Sequence, residues 1–311
     1  MHIEAMTDRS YREKERGHLS PSGGIPAVVL SNGVAMPALG YGVFQITDPA
    51  ECRGCVYQAL KTGYRLIDTA VAYGNERAVG EGVARAVAEG IVSREEVFVT
   101  TKVWLHDFGD GLTRRSVGNS MERLGIDYID MVLLHQPFGD FRGAWSELED
   151  MYSEGRIRAI GTSNFTEPKV KELLTAANIV PHVNQMEMHP FFSEDRFARR
   201  LIRKNIQPQA WGPLCEGQRG IFSNPVLTEI GQTHGKSPAQ VALRWNLQMG
   251  NAVVTRSTKK DHMEEDADIF DFQLSPEEMT KIGRMDLGYS EIMDFRNPAT
   301  ERLLKKLKVE G

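Results

Sequence analysis

From Val43 onward the chain alternates short apolar runs with longer stretches of helical periodicity, and no other feature limits its fold so strongly. The runs with strand character are Ala38–Phe44, Arg65–Asp68, Val97–Lys102, Tyr128–His135, Ile157–Ser163, His182–Met186, Gln207–Trp211 and Ala252–Thr255. Between them lie helix patterns such as Ala50–Thr62, Glu76–Gly90, Arg114–Gly125, Gly143–Gly155, Glu167–Ala177, Glu194–Asn205 and Ser237–Met249. Gly63, Gly90, Gly125 and Gly155 stand where the last helical turn should stop, the position at which a left-handed residue ends a helix. A strand followed each time by a helix must cross over to reach its neighbour, which predicts parallel pairing with the helices outside. Eight such strands, with no second domain's worth of sequence left over, predict a closed (β/α)₈ barrel of the TIM type spanning residues 25–311.

The flanks read differently. Ala27-Val28-Val29-Leu30, Ser31-Asn32-Gly33 and Val34-Ala35-Met36 predict a β-hairpin with an Asn-Gly turn, placed to cover the N-terminal mouth of the barrel. Ser275–Met285 reads as one more helix, followed by an irregular tail at Gly288–Pro298. Residues 1–24 are polar, mixed in charge and end in Ser-Gly-Gly, the composition of a disordered lead-in rather than of a secretory signal or transit peptide.

Composition excludes several partners. At 41% hydrophobic and 25% charged, with a net charge of −5, the 311 residues suit a globular chain and carry no electrostatic signature for nucleic acid or an anionic membrane. No apolar run approaches the length of about 20 residues that a membrane span needs. Three cysteines make no disulfide framework in a chain of this size, and a reducing cytoplasm fits them. Cys52 and Cys55 have C-x-x-C spacing but lie inside a helix pattern without a second ligand pair, so they read as reduced helix thiols and no metal site is expected.

In a barrel of this kind chemistry sits at the C-terminal ends of the strands. Asp68 ends the second strand and Tyr73 follows five residues later in a Gly/Asn-containing loop; Lys102 ends the third strand and His135 the fourth. Asp68 and Tyr73 alone could be a loop brace. Ionisable residues capping three successive apolar strands are harder to explain by packing, because a buried charge costs several kcal/mol unless paired. A phenol donates a proton at neutral pH, an ammonium beside it favours the phenolate and lowers its pKa, a carboxylate holds the ammonium in place, and a histidine positions a carbonyl oxygen or relays the proton. The set is suited to protonating an oxygen that is becoming an alkoxide. No activated serine or cysteine nucleophile accompanies it.

At this point the chain resembles a known family, the aldo-keto reductases, and within it the bacterial-type subgroup of 2,5-diketo-D-gluconate and glyoxal reductases. Gly63–Glu76 matches the family's first signature, and the tetrad falls on Asp68, Tyr73, Lys102 and His135 with the family's spacings. The resemblance runs from Ile25 to the C-terminus and implies a barrel that binds NAD(P)H in an extended pose without a Rossmann fold. It implies that Ser163, Asn164 and Gln185 bond the nicotinamide carboxamide, for which an amide offers both donor and acceptor, and that Trp211 stacks on the nicotinamide ring. Gly42, Val43 and Asp68 would lie beside the cofactor, with Gly212, Pro213, Leu214 and Gly217 in a loop against the pyrophosphate. His189 reads as structural. In the third signature Thr255-Arg256-Ser257-Thr258 replaces the commoner Pro-Lys-Ser; Arg256 keeps a cation for a 2′-phosphate and Ser257 adds a hydroxyl. His262 stands where arginine is common and Asp266 where asparagine is usual, while Glu265 keeps its place. NADPH is the expected cofactor, with NADH retained as an alternative because one cation is lost and one carboxylate gained.

Phe44, Trp104 and Phe138 follow strands one, three and four and are expected, with His135, to line an apolar substrate mouth together with tail residues such as Met293 or Phe295. Such a mouth suits small aldehydes, α-dicarbonyls and aromatic or keto-sugar substrates. Two other classes stay open: a nucleotide-sensing or structural protein on the same fold, and a barrel lyase using Lys102 as a Schiff base. A monomer is expected by analogy with relatives.

Overall fold

The computed structural model describes residues 24–290 and 292–309, so all of the expected lead-in over 1–24 except Gly24 lies outside the described residues. In chain order the strands are β1 (Ala27–Val29), β2 (Ala35–Pro37), β3 (Leu39–Gly42), β4 (Leu66–Asp68), β5 (Phe98–Val103), β6 (Ile129–Leu134), β7 (Ile157–Ser163), β8 (Val183–Glu187), β9 (Gln207–Trp211) and β10 (Ala252–Thr255). Strands β3 to β10 close a parallel barrel, with β10 pairing back onto β3. The register sets Gly42 opposite Asp68, Asp68 opposite Thr100 and Lys102 opposite Leu133, which brings the ends of β3, β4 and β5 to one rim.

The helices form for local reasons that the sequence displays. Pro49–Thr62 opens on Asp48, whose side chain accepts from the Glu51 N–H, has Pro49 in its first turn, and stops at Gly63 with φ +114°, a conformation that an L side chain adopts only under strain. Leu112–Leu124 stops at Gly125 in the same way. Three further helices, Pro225–His234, Lys260–Ala267 and Pro298–Lys306, fall where the apolar pattern marks none. Two of them open on an Asn-Pro pair: Asn224 accepts from the N–H groups of Val226 and Leu227, and Asn297 from that of Ala299. Capping chemistry marks the start of those two, whereas Lys260–Ala267 opens on Lys259 without a side-chain cap.

β1 and β2 form the expected hairpin, turning through Gly33 at φ +84° with the Asn32 side chain accepting from the Val34 N–H. Its Leu30 and Met36 pack against Leu66, Phe98, Met131, Ala159, Val183 and Ala252, which closes the N-terminal mouth of the barrel. With that end sealed by apolar packing, the opposite rim is the one left for chemistry. β3 ends at Gly42, two residues short of the expected boundary, so Phe44 lies in the loop beyond it.

Candidate active site

Asp68 is the last residue of β4, where the ladder ends and a side chain can turn over the rim. The chain then makes a single 3-10 turn, Val71–Tyr73, closed by Gly74 at φ +66°. This turn carries Tyr73 back towards the strand ends. Asn75 pins it: the Asn75 amide donates to the carbonyls of Val43 (2.9 Å) and Ile46 (3.2 Å) and accepts from the Thr69 hydroxyl (2.9 Å). The loop brace is thus Asn75, and Asp68 is free to act elsewhere.

It acts on Lys102. The Lys102 ammonium, wholly buried, donates to Asp68, to the Thr69 carbonyl (3.0 Å) and to the Tyr73 hydroxyl (3.3 Å). Burial opposes the Lys102 charge, but Asp68 and then Tyr73 outweigh it and hold the ammonium above the ordinary lysine pKa. For Tyr73 the balance differs from the sequence expectation: burial raises its pKa by more than Lys102 lowers it, so the phenol titrates above the usual value near 10. The cause is that a phenolate in this site would lose its water while its ammonium is shared with Asp68. Tyr73 is therefore fully protonated at neutral pH.

His135 follows β6, its ring edge-on to Tyr73 (centroids 5.7 Å apart) and to Trp104 (5.2 Å). Burial, then the Lys102 charge, push its pKa well below the ordinary histidine range. The ring stays neutral, and its Nδ1 is buried with no hydrogen-bond partner among the described residues. Of the expected mouth residues, Phe44 is 48% exposed with its ring 5.0 Å from that of Tyr73. Trp104 is buried, and its indole N–H donates to the Leu307 carbonyl (3.3 Å). Phe138 is buried within the main apolar core, where loop packing accounts for it.

Ser163, Asn164, Gln185 and Trp211 come together at the ends of β7, β8 and β9. The Gln185 amide N–H groups donate to the second Asp68 oxygen (2.8 Å) and to the Gln209 side-chain carbonyl (2.9 Å). Both of its donor protons are committed, contrary to the expectation that it offers donor and acceptor alike; its carbonyl oxygen remains to receive an N–H. Asn164, at φ +63°, ties the site together, accepting from the Trp211 indole (2.8 Å) and donating to the His135 carbonyl (3.1 Å). Beyond Trp211 the chain turns through Gly212, Pro213 and Leu214 into short 3-10 turns at Cys215–Gly217 and Ile221–Ser223. Gly42 lies so close to Val254 that a Cβ there would meet its Cγ1 at 2.9 Å, and the Val43 N–H donates to the Asp68 carbonyl (3.1 Å).

Across the rim, after β10, Arg256, Thr258 and His262 are exposed, Ser257 and Glu265 half-buried, and Asp266 buried. Asp266 accepts from the Thr255 hydroxyl (2.9 Å), yet burial pushes its carboxyl up to about 7.

Residues 33–286 match the model of the aldo/keto reductase family. The glyoxal reductase of Bacillus subtilis is 45% identical over 260 residues, 83% of this chain and 92% of that protein. An uncharacterized oxidoreductase of the same organism is 44% identical over 258 residues, 83% of this chain and 91% of that protein. Among solved structures, a Bombyx mori aldo-keto reductase in complex with NADP superposes with a TM-score of 0.83 at 31% identity, covering 86% of this chain and 95% of that one. The chain belongs to the aldo-keto reductase family. It is an NAD(P)H-dependent oxidoreductase of carbonyl groups.

Several residues that shape this aldo-keto reductase site escape motif reading. Gln209 looks like one more polar residue in a strand, yet it is fully buried and holds the Gln185 amide. Glu187 ends β8 and accepts from Ser290 (2.6 Å), whose oxygen in turn receives the Met293 N–H (2.9 Å), so the tail is tied back to the barrel. His189 is structural as expected: one ring nitrogen pairs with Glu187 (3.0 Å) and the other accepts from the Phe191 N–H. A buried polar residue inside a strand is the only signal that could have found Gln209 and Glu187.

Proposed function

We propose that this aldo-keto reductase uses NADPH to reduce small aldehydes and α-dicarbonyls to alcohols, with Tyr73 as the general acid. The observation that carries the reading is the buried chain Asp68–Lys102–Tyr73 beside a neutral His135. When bound, NADPH supplies the hydride from the C4 position of its nicotinamide. The chain has groups that fit such a cofactor: the unengaged Gln185 carbonyl oxygen and the Ser163 hydroxyl for the carboxamide, the Trp211 face for the ring, and the Arg256 cation for a 2′-phosphate.

A substrate carbonyl oxygen placed between Tyr73 and His135 receives a hydrogen bond from each. As negative charge grows on that oxygen, the Tyr73 proton moves to it, and Lys102 stabilises the phenolate left behind. Asp68 keeps Lys102 charged, and Gln185 keeps Asp68 aligned. His135 orients the carbonyl as a hydrogen-bonding group; with its pKa so low it is a poor source of the transferred proton. Phe44, exposed against Tyr73, supplies an apolar rim, and the similarity to a glyoxal reductase puts α-dicarbonyls first among the substrates to test.

The raised Lys102 pKa counts against a Schiff-base lyase, since a protonated amine is no nucleophile. The decisive experiment follows NADPH and NADH oxidation with a panel of aldehydes, ketones and α-dicarbonyls. Turnover faster with NADPH and greatest for small aldehydes and α-dicarbonyls supports the reading. Absence of oxidation with every substrate favours a nucleotide sensor, and borohydride trapping of Lys102 favours a lyase.

A further inference from the structure

Two residues outside the cofactor motifs reach the segment that carries Arg256 and Ser257. Tyr41, in β3, is fully buried, and its hydroxyl donates to the Ser257 carbonyl at 2.6 Å. Cys55, in the helix Pro49–Thr62, lies with its sulfur 4.0 Å from the next carbonyl along, that of Thr258. Tyr64 stands edge-on to Tyr41, ring centroids 5.8 Å apart, and donates to the Met263 carbonyl at 3.1 Å. The Ser257–Thr258 carbonyls thus rest on a floor of two side-chain donors, and Tyr64 holds the helix Lys260–Ala267 that follows.

That floor has a consequence for the outer surface. A trans peptide holds its C=O and N–H on opposite sides, so drawing the Ser257 and Thr258 carbonyls inward turns the N–H groups of Thr258 and Lys259 outward. There they join the Ser257 hydroxyl and the exposed Arg256, Lys259 and Lys260 side chains. The Lys259 N–H meets the Ser257 hydroxyl oxygen at 3.1 Å, which fixes that hydroxyl on the outer side. That bond engages the Lys259 N–H and leaves the outward Thr258 N–H, beside the Arg256 and Lys259 cations, as the backbone donor that can receive a phosphate.

We propose that Tyr41, assisted by Cys55, is a positioning residue that sets the preference for NADPH over NADH by holding the phosphate-facing segment from inside the barrel. The inference rests on the assignment of Arg256 and Ser257 to the 2′-phosphate. Burial, then the neighbouring Cys55, push the Tyr41 phenol far above its ordinary pKa, so it remains a donor at every working pH. It also gives the Cys52–Cys55 pair a place: both thiols are buried and free, and Cys55 serves as packing and a weak donor beneath the segment rather than as a redox centre.

The test is Tyr41→Phe, which keeps the ring and removes the hydroxyl. Calorimetric titration with 2′,5′-ADP should show affinity lower by roughly fivefold, the effect of one hydrogen bond, while 5′-AMP binding stays as in the wild type. In steady state KM for NADPH should rise by a similar factor, with KM for NADH and kcat unchanged. Equal losses for 2′,5′-ADP and 5′-AMP, or no loss for either, overturn the proposal. Arg256→Ala separates the two levels: if it leaves 2′,5′-ADP binding unchanged, the phosphate assignment itself fails, whereas a loss there with none in Tyr41→Phe sinks only the positioning role. Should Tyr41→Phe not fold, Cys55→Ala carries the test, with a loss of about twofold expected for 2′,5′-ADP alone, and no loss overturning the proposal.

Discussion

Replacing Lys102 with methionine removes the ammonium while keeping most of the side-chain volume, and it tests the assignment of proton donor and support together. The ammonium lies 3.3 Å from the Tyr73 oxygen. At an effective dielectric near 20 that distance is worth about 5 kcal/mol to a developing phenolate. Asp68, bonded to the far side of the ammonium, opposes part of it, so a net of about 3 kcal/mol remains, on the order of 10²-fold in kcat. The variant also leaves the Asp68 carboxylate buried with, among the described residues, only Gln185 donating to it, an uncompensated charge that costs about 3–5 kcal/mol of stability. The double variant Asp68→Asn/Lys102→Met should recover that stability and none of the activity. Because Lys102 lowers the Tyr73 pKa against the larger effect of burial, its loss moves that pKa further up. Tyr73 donates only when protonated, so the basic limb of the kcat profile, already above the ordinary tyrosine range, should recede to higher pH. Rates of NADPH oxidation against pH, with NADPH affinity measured separately by quenching of intrinsic tryptophan fluorescence, give both readouts. A folded Lys102→Met with kcat within about threefold of the wild type, or with a basic limb moved to lower pH, would mean that Lys102 does not support the Tyr73 phenolate.

Asp266→Asn should stabilise the protein above neutral pH. The folded carboxyl is raised from 3.8 to about 7, so the folded state keeps a proton that the unfolded chain releases. Stability of the wild type then falls as pH rises from about 4 to about 7 and is level above it, and the variant should gain about 4 kcal/mol above pH 7 with no gain near pH 4 in urea melts. The asparagine oxygen can still accept from Thr255, and loss of the carboxylate should tighten NADPH binding. Gln185→Leu removes the donor to Asp68 and the free amide carbonyl; NADPH affinity should fall about tenfold, with kcat reduced as well, since both pieces of the site lose a fixed partner. Unchanged NADPH affinity in that variant would remove Gln185 from the carboxamide site.

Much of this was legible because the barrel repeats one instruction. Most strands are short apolar runs, helices such as Pro49–Thr62 and Leu112–Leu124 stop at Gly63 and Gly125, and the end of a strand is where a polar residue must have another reason to be. Asp68, Lys102 and His135 follow that logic, and the short turn Val71–Tyr73 delivers the fourth member to the same rim. What stayed hidden depends on long-range pairing. Nothing in the strand Gln207–Trp211 says that Gln209 will meet Gln185, and nothing in the first barrel strand says that Tyr41 will reach Ser257, more than two hundred residues on. The sign of the Tyr73 shift was equally out of reach, because it depends on how completely burial strips the phenol of water, and only packing decides that. The helix at Pro298–Lys306 was hidden for a different reason: its Asn-Pro cap is a local signal, but its pattern of apolar residues is too short to read as a periodic face.

The central claim is that Tyr73 delivers the proton in carbonyl reduction. The most direct measurement is single-turnover hydride transfer by Tyr73→Phe with NADPH already bound and a saturating aldehyde. The rate should be lower by about 10²–10⁴-fold, with NADPH affinity and thermal stability close to those of the wild type. Hydride transfer in that variant at a rate comparable to the wild type would contradict it and shift the proton to His135.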